Sequence, residues 1–243
     1  MGHEFELNDA AEVDATPEQL WAAIATGPGI DSWFMGRNEV SGGTGGVVRG
    51  AFGGYEPSFE ITAWDPLERL VYGNEPAPDG RRVGYEFLIE GRDGGSSVIR
   101  CVTSGFLPGD DWEDEFEAMT TGGALFFRTL VEYVTHFAGR TAVPVTAFGP
   151  PVRSWLAAWS KLGTALGLPG RPAAADRVLV SGVEGVVYWT NDQTVGIRTA
   201  DAMYRFIRGL HGPMVASHHL FTPGADPAAE EKTWSDWLTR VLG

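Results

Sequence analysis

The chain has 243 residues, room for one large or two small domains, and 43% of them are apolar, enough for an ordinary core. Thirty-two acids against 18 bases give a net charge of −14, which disfavours nonspecific binding to nucleic acid or an anionic membrane. No apolar run approaches the roughly 20 residues that span a bilayer, so no membrane span is expected.

The first element is a strand from Phe5 to Val13. Thr16 and Pro17 then open a short helix, Thr16 as cap and Pro17 in the first turn, where no backbone donor is needed. Leu20, Trp21 and Ile24 form its apolar side. Gly27-Pro28-Gly29 breaks the chain before a second short apolar piece ending in Trp33-Phe34. A hairpin tip at Gly42–Gly46 precedes a strand over Val47–Phe52. Phe59, Ile61 and Ala63 alternate with polar residues as a half-buried strand does, and Leu70 and Tyr72 mark the next. In the run Arg82–Glu90, Val83, Tyr85, Phe87 and Ile89 share one face, with Glu86, Leu88 and Glu90 on the other. After the Asp93-Gly94-Gly95 turn, Ser97, Ile99, Cys101 and Thr103 alternate with Val98, Arg100 and Val102. An acidic cluster from Asp110 to Glu117 suits the start of a long helix, about Trp112 to Phe137, in which Phe116, Met119, Gly123, Phe126 or Phe127, Leu130 and Val134 recur at helical spacing. Gly122-Gly123 costs such a helix about 1 kcal/mol each relative to alanine. The pair reads either as close packing on the sheet or as a gap in the helix wall.

The composition shifts at Gly139–Pro151, which places a boundary between residues 1–140 and 141–243. The second part opens with a helix from Val152 to about Leu166 and continues through strand-like runs at Arg177–Ser181, Val183–Trp189, Thr194–Arg198, Met203–Ile207 and Met214–Phe221. It closes with a helix from about Pro227 to Leu242. Three landmarks recur in order: Pro17 with Trp21 and Pro151 with Trp155, Tyr85-Glu86-Phe87 and Tyr204-Arg205-Phe206, Phe106-Leu107-Pro108-Gly109 and Phe221-Thr222-Pro223-Gly224. The second part is therefore read as a smaller α+β unit, either a trimmed and degenerate copy of the first or an unrelated α+β extension packed on it.

The order of strand, two short helices, many strands and one long helix resembles the START-like helix-grip (SRPBCC) superfamily. Residues 4–138 are most similar to its heat-shock-protein-90 ATPase activator branch. The residues that carry this are Ala15-Thr16-Pro17-Glu18-Gln19-Leu20-Trp21, Ile30-Asp31-Ser32-Trp33-Phe34 and the closing helix with Gly123 before Leu130. The resemblance implies an α+β fold, an antiparallel sheet wrapped around a long C-terminal helix, with a cavity between them. Mapped here, its lining is Trp33, Phe59, Tyr72, Tyr85, Phe87, Phe116, Met119 and Phe127. Arg100, placed inward, would pair with a ligand carboxylate. The chaperone stimulation of the eukaryotic activators resides largely in a separate N-terminal domain, and this sequence opens on the helix-grip unit itself.

Motifs of chemistry are sparse. There is no Gly-x-Ser-x-Gly elbow, phosphate-binding loop or His-Glu-x-x-His, so no catalytic residue and no cofactor is assigned. His218 and His219 would point to opposite faces of a strand, which argues against a shared metal even with His211 nearby. Lone Cys101 cannot form an internal disulfide and, with no evident activating neighbour, reads as a buried structural thiol. No secretory leader opens the sequence, and a cytoplasmic location is expected. The expected function is non-catalytic binding of a small apolar or amphipathic molecule. Two alternatives stand beside it. One is a protein that associates with a chaperone or another protein. The other is a polyketide cyclase-like enzyme, in which Tyr85, Glu86 and Arg100 would be enlisted for acid–base work.

Overall fold

The computed structural model describes residues 2–109, 112–209 and 212–243, and of Asp114 the backbone alone. Asp110-Asp111 of the acidic cluster and His211 lie outside the described residues. The chain divides into two compact units, Met1–Thr141 and Ala142–Gly243.

Unit 1 begins with β1 (His3–Val13), whose exposure alternates strictly: Glu4, Glu6, Asn8, Ala10 and Glu12 face out, Phe5 and Val13 are buried, and Leu7, Asp9 and Ala11 are half-buried between them. α1 (Pro17–Ala25) starts in a capping box, the Thr16 hydroxyl accepting from the Gln19 N–H and the Gln19 side chain accepting from the Thr16 N–H. Leu20 and Ile24 are fully buried, each worth about 1.5–3 kcal/mol in apolar burial. α2 (Gly27–Ile30) follows at once, capped by the Thr26 hydroxyl. Glycine is required here: a Cβ on Gly29 would stand 2.0 Å from the Ala22 carbonyl, and one on Gly27 2.4 Å from that of Asn38. Asp31 holds the helix pair to the sheet by accepting from the backbone and side chain of Asn38 at 2.6 and 3.1 Å. Burial raises the Asp31 pKa, against the pull of these bonds and of Arg37.

β2 (Arg37–Ser41), β3 (Val47–Ala51), β4 (Ser58–Asp65), β5 (Arg69–Gly73), β6 (Arg82–Gly91) and β7 (Ser97–Leu107) form an antiparallel meander, and β7 returns beside β1. The sheet order is β1-β7-β6-β5-β4-β3-β2. α3 (Trp112–His136) packs back against β1 and β7, so the sheet curves around one long helix. This is the START-like helix-grip architecture.

Unit 2 comprises β8 (Val143–Pro151), α4 (Trp155–Ala165), β9 (Arg177–Val180), β10 (Val183–Thr190), β11 (Thr194–Arg198), β12 (Ala202–Arg208), β13 (Pro213–Leu220) and α5 (Pro227–Leu242). Its sheet order, β8-β13-β12-β11-β10-β9, again sets the first strand beside the last, with one strand fewer. β8 runs through the residues expected to form a linker. Its prolines read as a break, but β8 is an edge strand, where a missing backbone donor is tolerated. α4 starts at Trp155 rather than Val152 because Ser154 is its cap, the hydroxyl accepting from the Ala157 N–H. Counting from the caps, Thr16 matches Ser154, so Trp21 corresponds to Trp159 and not to Trp155. No helix among the described residues is long and apolar enough to cross a membrane.

Candidate functional site

The inner face of the unit 1 sheet can be read from strand register, because paired residues of an antiparallel ladder share a face. One row runs Leu7, Thr103, Tyr85, Tyr72, Ile61. The adjacent row runs Asp9, Cys101, Phe87, Leu70, Trp64. Phe59 precedes Ile61 by two and faces the same way.

These positions gather an aromatic cluster. Tyr72 and Tyr85 have ring centroids 5.4 Å apart, and Phe59 lies 5.8 and 5.9 Å from them. Phe87 is 6.1 Å from Tyr72 and 6.2 Å from Trp33. Trp33 reaches it from the end of α2, its indole N–H held by the Ala23 carbonyl at 3.0 Å. Phe34 joins at 6.4 Å from Tyr85 and bridges to Phe126 of α3 at 5.0 Å. Trp33, Tyr72 and Phe87 are buried, while Phe34, Phe59, Tyr85 and Phe126 remain partly exposed. Among the described residues no hydrogen bond engages the hydroxyl of Tyr72 or Tyr85. Burial, with the neighbouring Cys101, raises both phenols far above their ordinary value, so each is a fixed O–H that does not ionise. On the helix side, a Cβ added at Gly122 or Gly123 would meet nothing within 4 Å.

Of the expected lining residues, the structure therefore brings together Trp33, Phe59, Tyr72, Tyr85 and Phe87. Phe116 belongs to a second aromatic group, with His3, Phe5 and Trp112 at 5.8–5.9 Å. Met119 is half-buried on α3, and Phe127 is buried one residue along from Phe126, which makes the ring contact with Phe34. Arg100 is a correction. It pairs in register with Leu88 and Ala10, and it is exposed on the outer face. There it borders a shallow hollow with Arg69, Leu88, Glu90 and Val98, away from the aromatic cluster. The sheet separates Tyr85 from Glu86 as well, the latter bonded to Arg69 at 2.7 Å on the outer face. The trio Tyr85, Glu86 and Arg100 is thus split between two faces.

Sequence reasoning misses three contributors: Phe34, Phe126 and Asp9. Asp9 has a legible signal, since it is the one acid in the inward row Phe5, Leu7, Asp9, Ala11, Val13. It stands in register with Cys101. The thiol is nevertheless not activated. Burial pushes Cys101 up to about 12, opposed by a hydrogen bond with Thr103 and aided to a smaller extent by the Asp9 charge, so it stays protonated.

In unit 2, His218 packs perpendicular to Trp234 with centroids 4.2 Å apart, alongside Tyr204 and Phe206. His219 falls on the alternate face, in register with Met203. Among the described residues no group of three His, Cys, Asp or Glu side chains is placed to hold a metal ion.

The fold defines unit 1 as a START-like helix-grip unit with an aromatic inner face. No family model matches the chain, and no curated protein matches it. Solved structures similar to it include three with informative coverage. Protein MLL2253 from Mesorhizobium loti is 22% identical with a TM-score of 0.45, over 53% of this chain and 95% of that one. The Aha1 dimer from Colwellia psychrerythraea is 22% identical with a TM-score of 0.43, over 54% and 96%. The di-domain ARO/CYC BexL of the BE-7585A biosynthetic pathway is 13% identical with a TM-score of 0.47, over 95% and 92%. At such values the helix-grip description stands on this chain's own strand order and helices.

Proposed function

We propose that unit 1 binds a small apolar or amphipathic molecule between the inner sheet face and α3, without transforming it. The observation that carries this is the pair of Tyr72 and Tyr85 hydroxyls, set in an aromatic cluster and engaged by no hydrogen bond among the described residues. Neither hydroxyl is among the buried side-chain atoms that lack a partner, so each is open to water. A ligand oxygen would displace that water and take the O–H in its place, and binding recesses commonly combine an apolar wall with a few fixed polar groups. The open space beside Gly122 and Gly123 supports the same reading.

We read unit 2 as a shortened copy of unit 1, on the shared strand order and the matching caps. Its inner face is packed by Trp159, Phe206, Trp234 and Leu238, which favours assigning binding to unit 1 alone. Native mass spectrometry of the purified protein tests the proposal, followed by denaturation and identification of what is released. It is combined with titration of naphthalenemethanol by tryptophan fluorescence. A retained molecule, or quenching that saturates, supports the role; the absence of both refutes it.

A further inference from the structure

We propose that the molecule held in this recess carries a cationic nitrogen that pairs with Asp9. The inference rests on the binding role proposed for unit 1. Asp9 lies at the centre of β1 on the inward side of the strand, between the buried Phe5 and Val13. Its register partner is Cys101, whose own partner across β6 is Phe87. The carboxylate and the aromatic cluster therefore share one face of the sheet, two strands apart, roughly 10 Å between Cα positions.

Among the described residues, nothing donates a hydrogen bond to the Asp9 carboxylate and no cation pairs with it. Burial raises its pKa, the mark of a carboxylate given no compensating partner. Unit 1 has no lysine, and its arginines near the sheet are engaged elsewhere or turned outward. Arg69 is on Glu86, Arg81 on Glu115, Arg82 on Glu4 and Arg92 on Glu90, while Arg100 is exposed on the outer face. Unit 1 thus places a carboxylate on the face that carries the aromatic cluster, and no cation among the described residues pairs with it.

The neighbouring surface suits the same ligand. Tyr85, Tyr72, Phe59 and Phe34 offer aromatic faces for its apolar frame, and the net charge of −14 raises the local concentration of cations. The spacing fits an amine on a short arm from a flat apolar frame, the nitrogen at Asp9 and the frame among the rings. This reverses the ligand charge that an inward Arg100 would have implied.

The test compares three probes of one shape, 1-naphthalenemethylamine, 1-naphthalenemethanol and 1-naphthoate, titrated at low salt into the full chain. The amine is expected to bind roughly ten- to a hundredfold more tightly than the alcohol, and the naphthoate most weakly. Asp9→Asn, which keeps the shape, should bring amine and alcohol within about twofold of each other and leave alcohol binding unchanged. Thermal unfolding verifies that the variant is folded. Glu90→Gln on the outer face removes the same charge and should leave the amine preference intact. Equal binding of amine and alcohol by the unmodified protein overturns the inference while the binding role stands. So does a preference that survives Asp9→Asn, or one lost equally in Glu90→Gln. If none of the three probes binds, the inference fails, and the binding role fails with it only where native mass spectrometry also finds no retained molecule.

Discussion

Acid should destabilise unit 2 through one imidazole. His218 is fully buried, and its Nδ1 accepts the backbone N–H of Arg205 at 3.1 Å, so the neutral ring carries its proton on Nε2. That atom is buried without a hydrogen-bond partner and lies against the aromatic wall that includes Trp234. Burial, then the Arg205 guanidinium, push the pKa from 6.5 down to about 3, only partly offset by a bond to the Ser217 backbone. The sign follows from proton counting. Below pH 6.5 the unfolded chain takes up a proton that the folded chain refuses until about pH 3, so stability falls as pH falls through this window. Each unit of pKa difference is worth about 1.36 kcal/mol. Going from pH 7 to pH 5 should therefore cost about 2 kcal/mol from His218 alone. Urea unfolding followed by tryptophan fluorescence, with Trp234 and Trp237 as reporters, measures the loss. His218→Asn keeps an acceptor near the Nδ1 position and removes the titration, so the pH 7 to 5 loss should shrink by about that amount. Equal losses in the two proteins, or a folded-state imidazole that titrates near its ordinary value by NMR, would refute the reasoning.

Three further outcomes are expected. Gly123→Leu should weaken naphthalenemethanol binding at least about tenfold while leaving thermal stability equal or higher, since removing a helical glycine gains about 1 kcal/mol and a Cβ there meets nothing within 4 Å. Thr16→Ala should lower unfolding free energy by about 1 kcal/mol in urea, because it removes the hydroxyl that caps α1. Cys101, buried and held protonated up to about 12, should react with thiol reagents at mildly alkaline pH only as fast as the protein unfolds, and rapid labelling of folded protein would contradict this.

Much of the fold was legible because local chemistry and tertiary structure agree. The Thr16-Pro17 start and the alternation of Arg82–Glu90 each have one reading and form as expected, whereas Gly27-Pro28-Gly29, read as a break, forms the first turn of α2 and the break falls at Thr26. β8 was not legible, since Val143-Pro144-Val145 and Gly149-Pro150-Pro151 carry the same signals as a linker, and only the pairing with β13 distinguishes an edge strand. The site divides the same way. Tyr85 and Phe87 follow from alternation within one strand. An inward Arg100 runs against its own alternation, for it shares a side with Val98 and Val102 whereas Ile99 and Cys101 are the buried residues. The choice between Phe126 and Phe127 turns on about 100° of helix rotation, which helical spacing alone does not fix.

The two units share a strand order but fill the inner face of the sheet differently. Tyr85 and Phe87 sit on the penultimate strand of one sheet, Tyr204 and Phe206 on that of the other. In unit 2 the closing helix sends Trp234 within 5.2 Å of Tyr204 and Trp237 within 5.7 Å of Phe206, and His218 completes the packing. Filling of this kind stabilises a small sheet by burying large rings but leaves little to bind with. Unit 1 keeps the aromatic floor, while its closing helix carries Gly122-Gly123 with open space beside them. Two glycines inside a 25-residue helix forfeit about 2 kcal/mol of propensity. The cost falls on the unit whose tyrosine hydroxyls and Asp9 carboxylate lack partners among the described residues, the combination expected of a recess completed by a ligand.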